Sequence, residues 1–410
     1  MKLKKVVGVL LALSMVLGMT ACGGDDKGTE ADSASKSEAA SNSKSDKTDD
    51  SEEETTLTMW SWSPITRTGE KMIEAFEKEN PGIKIEFSYY NYDPEYLSAL
   101  SAAAASDSLP DIIGLQPGSL TAQYAEYLMD YSDYAKEEWG DNWIDNYPEM
   151  IASQIQMGNK EGDDSHYILP VEAQIISLVY NKNVFEKYNL SEPTTYDEFK
   201  TVCDTLNENG VAPLFFGGSN GWQNVNVFTM LCSQLDTTMF DKAQAGDIKW
   251  TDSKMVEAMA NFKLMFDDGI IPTGAMSADA NTNGTPAFVS DSAAMMALGP
   301  WWCQEFTAED PAPTVANWAF GFFSLPPVGS ATKAATPVGG IDFGYGITKN
   351  CKNPEAAWKA IKSFSSGAGI QACVDDVNNL PAFKGIEPKN TELNPELVEQ
   401  YNSFSKDLDK

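Results

Sequence analysis

An α/β fold in two lobes is what the sequence predicts, and three observations carry that expectation. Between residues 57 and 115, strand-like alternation and helix-like spacing take turns in a β-α-β-α-β order, which calls for a parallel sheet covered by helices. Strand and helix signals resume beyond residue 182, so a second α/β layer system follows the first. Between the two lies the stretch 167–182, whose apolar run 175–180 is ended by the turn-prone pair Asn181-Lys182. It reads as a buried strand crossing from one lobe to the other. Pro170 predicts that this strand does not start before it. Glu172, a carboxylate in apolar surroundings, has to be paired or used. With 410 residues the chain is long enough for two cores.

Taken in order, the chain opens on a processing signal. Lys2, Lys4 and Lys5 precede an apolar run over 6–19, too short and wrongly flanked for a membrane span. Met19-Thr20-Ala21-Cys22 then has the form of a bacterial lipoprotein site, with cleavage after residue 21 and lipid on Cys22. Residues 22–56 are rich in Ser, Asp, Glu and Lys and hold no aromatic residue, so they are expected to be a disordered acidic tether. Five further cysteines remain, at 203, 232, 303, 351 and 373, with no C-x-x-C pair among them. Cys203 shares a helical face with Phe199, Val202 and Leu206 and reads as core; spacing leaves open whether Cys351 and Cys373 pair.

The first layer system begins with a strand at 57–62 and a helix at 69–80 that turns Met72, Ile73 and Phe76 inward and stops at Pro81-Gly82. A strand at 83–87 follows. Asp93-Pro94 is expected to cap a helix running to residue 105, and 109–115 forms the third strand. Ligands of such sheets bind beyond the carboxyl ends of the strands, here at Trp62, Asn91 with Tyr92, and 116–119. After the crossover, Thr195-Tyr-Asp-Glu198 is a capping box, 211–216 a strand, and 217–222 a glycine-rich loop. A helix is expected at 255–266 and strands at 293–298, 320–325 and 339–347. A last helix, capped at Asn353, has Trp358, Ile361 and Phe364 inward.

Composition narrows the function. Sixty acidic against 29 basic residues leave a net charge of −31, which argues against a nucleic-acid partner. Ten Trp and fifteen Tyr are costly to leave exposed, so many of them must line a core or a pocket. Trp60, Trp318 and Trp358 sit within elements and read as core; Trp62, Trp222, Trp301 and Trp302 sit at ends and loops, where binding residues concentrate. Gly217-Gly-Ser219-Asn-Gly221 matches a nucleophile elbow. That chemistry needs a histidine downstream, and the only one is His166, upstream. Asp279-Ala-Asn281-Thr-Asn283-Gly284 begins like a calcium loop but has Ser290 where the bidentate acid belongs. No metal and no cofactor are expected.

The stretches Leu57-Thr58-Met59-Trp60-Ser61-Trp62, Asn80-Pro81-Gly82-Ile83-Lys84-Ile85 and Leu109-Pro110-Asp111-Ile112-Ile113 recur in a known order, followed by 169–182, Gly299-Pro300-Trp301 and 346–358. In that order and spacing, behind a lipoprotein signal, the chain resembles the extracytoplasmic solute-binding proteins of ABC importers, of the maltose-binding-protein-like, family 1 sugar-binding class. The resemblance covers residues 57 to about 383. It implies a two-lobed periplasmic-binding-protein-like fold, each lobe a mixed, mostly parallel sheet flanked by helices. Lobe 1 would hold 57–171 plus 340–378, and lobe 2 would hold 172–339 plus 379–410. The crossovers fall near 170–173, 337–341 and 378–381. Relatives continue for a further helix or two, so the second lobe is expected to lack its last element.

The resemblance also implies a function: a lipid-anchored monomer on the extracytoplasmic face of the membrane, without enzymatic activity. It would close on a sugar or oligosaccharide and deliver it to a permease with a cytoplasmic ATPase. Trp62, Glu172 and Trp301 fall within matched motifs; Gln116 and Ser119 follow the matched third strand, where many relatives carry charges. Tyr92, Trp222, Trp302 and Asp342 join them by loop position, with Asp342 also placed to steady the second crossover. Two alternatives stay open: the same fold holding a cation such as a polyamine between Trp walls and acids, and a secreted carbohydrate-active enzyme using Glu172 and Asp342 as its carboxyl pair.

Overall fold

The computed structural model describes residues 54–302, 319–377, 379–389, 402–406 and 408. The expected leader, Cys22 and the tether up to residue 53 lie outside the described residues, as do Cys303 and Trp318. Strands β1 (Thr55–Ser61) and β2 (Ile83–Tyr89) pair in parallel, and β3 (Ile112–Leu115) lies parallel to β1 on its other side. The helix Thr66–Glu79 joins β1 to β2 and buries Met72, Ile73 and Phe76, as their spacing predicts. The helix Leu97–Ala105 lies between β2 and β3. Its start differs from the expected cap. No hydrogen bond is made by the Asp93 side chain among the described residues; instead Glu95 Oε2 accepts from the backbone N–H and the Nδ2 of Asn91.

The crossover strand is longer than expected. β4 (Leu169–Asn181) includes Pro170, which faces Gly344. Proline fits because the register shifts on both sides of Glu172, and bulges are where a strand can spare an N–H. The first part of β4 pairs antiparallel with β8 (Val338–Ile347), and β8 pairs antiparallel with β3. The second part of β4 takes β6 (Ala293–Leu298) and β7 (Phe320–Phe323), both antiparallel, and β5 (Ala212–Phe215) adds to β6 in parallel. The order is β2-β1-β3-β8-β4-β6-β5, with β7 on β4, so the fold is the expected mixed α/β sheet with helices. It is not mostly parallel, because the returning strand β8 and the crossover strand β4 pair antiparallel with every neighbour they have among the described residues.

Two long strands, of 13 and 10 residues, thus run through both halves of the sheet. On the first half Phe76, Ile112, Trp358 and Phe364 belong to one core; on the second, Phe199, Leu214, Leu231 and Met265 belong to another. The segment following residue 378 lies along β4: the Ala173 N–H donates to Leu380 O at 2.7 Å and the Ala382 N–H to Val171 O at 3.0 Å. These bonds draw Leu380 and Ala382, which the sequence assigned to the second lobe, into the core of the first half, where Phe404 and Leu408 join them.

Local signals elsewhere hold. Thr195 and Glu198 form both bonds of the capping box that opens the helix Tyr196–Glu208, and Phe199, Val202, Cys203 and Leu206 are buried. Asn353 caps the helix Pro354–Ser366 by accepting from the Ala356 N–H. One segment departs from expectation: the glycine-rich loop ends at Asn220, and the helix Gly221–Leu235 starts at once, so Trp222 stands in a first helical turn. Buried Val227, Met230 and Leu231 supply the face that holds this helix down. Cys351 and Cys373 are both free and buried, like Cys203 and Cys232. Among the described residues no helix is long and apolar enough to cross a membrane.

Candidate functional site

The residues after β1, β2 and β3 meet as the strand order predicts. Trp62 packs against Tyr92 with ring centroids 4.9 Å apart and rests on Tyr96 and Phe343 at 5.2 and 5.6 Å. The Tyr92 hydroxyl donates to Gln116 Oε1 at 2.7 Å, which ties the second strand end to the third. Burial, with Asp93 and Asp342 nearby, pushes the Tyr92 phenol up to about 12, so it stays a donor at any physiological pH. Trp62, Tyr92 and Gln116 all line one cleft.

The facing wall is built by the second half of the sheet. Trp301, just past β6, meets Trp222 edge to face with centroids 6.1 Å apart. Its indole folds back over Gly299, where any Cβ would overlap the ring, so glycine is the residue this approach requires. Trp302 is only 4% exposed; its Nε1 donates to Thr285 Oγ1 at 3.1 Å and its ring meets Phe288 at 4.9 Å. Trp302 is thus mainly a core side chain that shows an edge to the cleft. Amides fill in between the rings: Asn91 on the first wall, Asn226 and Asn281 on the second, and Gln174 on β4.

Asn281 is presented by the segment that resembled a calcium loop. Asp279 Oδ1 accepts from the N–H groups of Asn281 and Thr282, and Asp279 Oδ2 accepts from Asn220 Nδ2. The carboxylate is therefore spent on capping and on tying this turn to the glycine-rich loop. Among the described residues no cluster of acids, His or Cys could hold a metal ion.

Two carboxyl groups sit where β4 and β8 bulge. Ala173 faces Ile341 and Glu172 faces Phe343, so Asp342 is the extra residue between the two pairs, and the bulge turns it into the cleft. Gly340 precedes it with φ +125°, and a Cβ there would run into the Gln154 amide, which donates to Gly339 O and accepts from the Ile341 N–H. Asp342 is 8% exposed; burial and the neighbouring Glu172 push its carboxyl up to about 8. Glu172 is 1% exposed, and burial pushes it up to about 7 against hydrogen bonds from Asn379 Nδ2 at 2.9 Å, Cys373 Sγ at 3.5 Å and Ser63 Oγ at 3.4 Å.

Of the residues singled out from sequence, Trp62, Tyr92, Gln116, Trp222, Trp301, Trp302 and Asp342 line the cleft together. Glu172 and Ser119 do not. Glu172 is enclosed by the three segments it binds, and Ser119 is exposed at the start of the helix Ser119–Tyr124. Sequence reading missed Gln174, Asn226 and Asn281. Asn226 lies one helical turn beyond Trp222, a signal that the loop reading concealed. Gln174 is only two residues from enclosed Glu172, and the intervening bulge breaks the alternation that would have judged it.

The family model for bacterial extracellular solute-binding proteins matches residues 62–368. A multiple sugar-binding protein of Streptococcus mutans is 25% identical over 341 residues, covering 80% of this chain and 75% of the relative. The melibiose/raffinose/stachyose-binding protein MelE of Bacillus subtilis is 24% identical over 215 residues, covering 50% of this chain and 47% of its own length. Among solved structures, a chitin oligosaccharide binding protein superposes with TM-score 0.70 at 23% identity, over 87% of both chains. A substrate-binding protein, RafE, in complex with raffinose superposes with TM-score 0.63 at 20% identity, over 85% of this chain and 88% of that one. At these identities the structures speak for the fold.

Proposed function

We propose, for a chain that belongs to the bacterial extracellular solute-binding protein family, that the cleft captures a sugar or oligosaccharide for an ABC importer. The observation that carries this reading is the make-up of the walls: Trp62, Trp222 and Trp301 offer aromatic faces, and Gln116, Gln174, Asn226 and Asn281 offer amides between them. A pyranose ring presents apolar C–H faces and a rim of hydroxyl groups, and such a cleft answers both. Trp62, Tyr92, Gln116, Trp222, Trp301 and Asp342 are the proposed contacts. Trp302 supports Trp301 from behind, and Glu172 steadies the paired strands instead of touching ligand. The relatives named for sugars support the same reading.

The mechanism we infer is closure about β4, β8 and the segment at 379–382, which lie hydrogen-bonded side by side between the two cores. The closed form would dock on a permease driven by an ATPase, with lipid on Cys22 holding the protein at the extracytoplasmic face of the membrane. The carbohydrate-active enzyme is disfavoured because Glu172, the partner such chemistry would need, is enclosed. Thermal-shift measurements on the full chain with neutral oligosaccharides and with spermidine test the reading. A sugar at 100 times its dissociation constant should add about 2.7 kcal/mol of stability. Stabilisation by spermidine and by no sugar would refute it.

A further inference from the structure

The charge balance of the cleft says which sugars it accepts, an inference that rests on the sugar reading above. Asp342 is the one acidic side chain in the lining, and the described lining holds no Lys, Arg or His. The segments 303–318 and 390–401 contain none either. The single histidine, His166, is engaged with Ser132 and Trp143 in the first half. Asp342 is more than nine-tenths buried, points into the cleft, and has no hydrogen-bond partner among the described residues.

The ionisable groups around it are nearly all acids. Glu172 faces it from β4 and Tyr92 from the segment after β2, with Asp93 beyond. Behind Glu172 stand Tyr345 on β8 and Cys373 on the helix Ala368–Val377. Asp376 on that helix is already paired with Arg67 and Lys71. Residues 379–382 carry no charge, and the opposite wall contributes Trp and amide side chains. Among the described residues no cation lines the cleft to neutralise a negative group at this point.

We propose that Asp342 makes the cleft a filter for charge: it admits uncharged glycans, donating the proton of its carboxyl group to a ligand oxygen, and it turns away glycans that carry uronate, sulfate or phosphate groups. A ligand anion here would lose its water beside two carboxyl groups and gain no counter-ion. A protonated carboxyl group, in contrast, offers one O–H donor and remains an acceptor. Burial and Glu172 keep that proton on Asp342 at neutral pH. A sugar lying over Asp342 shuts out more water and strengthens the same preference.

The test uses the full chain and calorimetry with maltotriose, raffinose, xylotriose and chitotriose on one side and trigalacturonate on the other, at pH 6.5 and pH 9. The expected result is binding of at least one neutral trisaccharide, with trigalacturonate weaker by about 100-fold or more, the scale of an unpaired buried charge. Raising the pH to 9 should weaken the neutral ligand about tenfold, since only the protonated fraction binds. In Asp342→Asn that fall should vanish and the gap to trigalacturonate should narrow. Trigalacturonate binding as tightly as the neutral sugars would overturn the inference, as would an unchanged pH dependence in Asp342→Asn. If no glycan binds, it is the sugar reading that fails. The proton arm stands without ligand: potentiometric titration from pH 6 to 10 should release one more proton from the wild type than from Asp342→Asn, and equal release overturns the inference.

Discussion

Glu172→Gln should make the protein more stable at alkaline pH and flatten its stability across the neutral range. The carboxyl group is enclosed, accepts from Ser63, Cys373 and Asn379, and faces Asp342 with no cation beside it among the described residues. Burial raises it from an ordinary 4.5 to about 7. Because the folded value lies above the unfolded one, this group costs nothing below pH 4.5; stability is lost as pH rises from there through 7, and above 7 the full cost applies. At about 1.4 kcal/mol per tenfold change in proton affinity, the loss is about 3 kcal/mol, most of it between pH 5 and 7.5. Glutamine keeps the size and cannot ionise. Its amide needs an acceptor, and Asn379 Oδ1, buried without a partner among the described residues, is placed to serve once that amide turns over. The Asp342 carboxyl group would also shed the charge of its neighbour, which acts in the same direction. Urea denaturation of wild type and variant at half-unit steps from pH 5 to 8.5 reads the difference directly. The free energies should diverge by about 3 kcal/mol in favour of the variant as pH rises. Parallel curves would refute the reasoning.

Three further outcomes are expected. Trp301→Ala should remove about 2 kcal/mol or more of sugar affinity, because the half-buried indole is held ready over Gly299; calorimetry beside a melting curve separates this from a folding defect, which a large drop in melting temperature would indicate. Thr195→Ala should cost about 1 kcal/mol of stability by opening the capping box, with sugar affinity unchanged, as denaturant midpoints and calorimetry would report. Cys22→Ser should leave ligand binding intact while releasing the protein from salt-washed membranes, and a variant still sedimenting with them would refute the lipid anchor.

Much of the fold was legible in the chain because local physics sets it. The period of Met72, Ile73 and Phe76 makes a helix wherever a core awaits it, and the Thr195–Glu198 box starts one with its own side chains. Strand ends can be read too, and since parallel strands place their carboxyl ends on one side, the sequence alone groups Trp62, Tyr92 and Gln116, which line one cleft. What the tertiary structure alone decided depends on register and on long-range neighbours. Pro170 sits inside β4 because bulges flank Glu172, and nothing in the local sequence announces a bulge. The same bulges divide the two acids, turning Asp342 toward the cleft and enclosing Glu172 among Ser63, Cys373 and Asn379. Those partners lie 109, 201 and 207 residues away along the chain. A carboxyl group's role follows from its water and its neighbours, and here both are set by segments that only folding brings together.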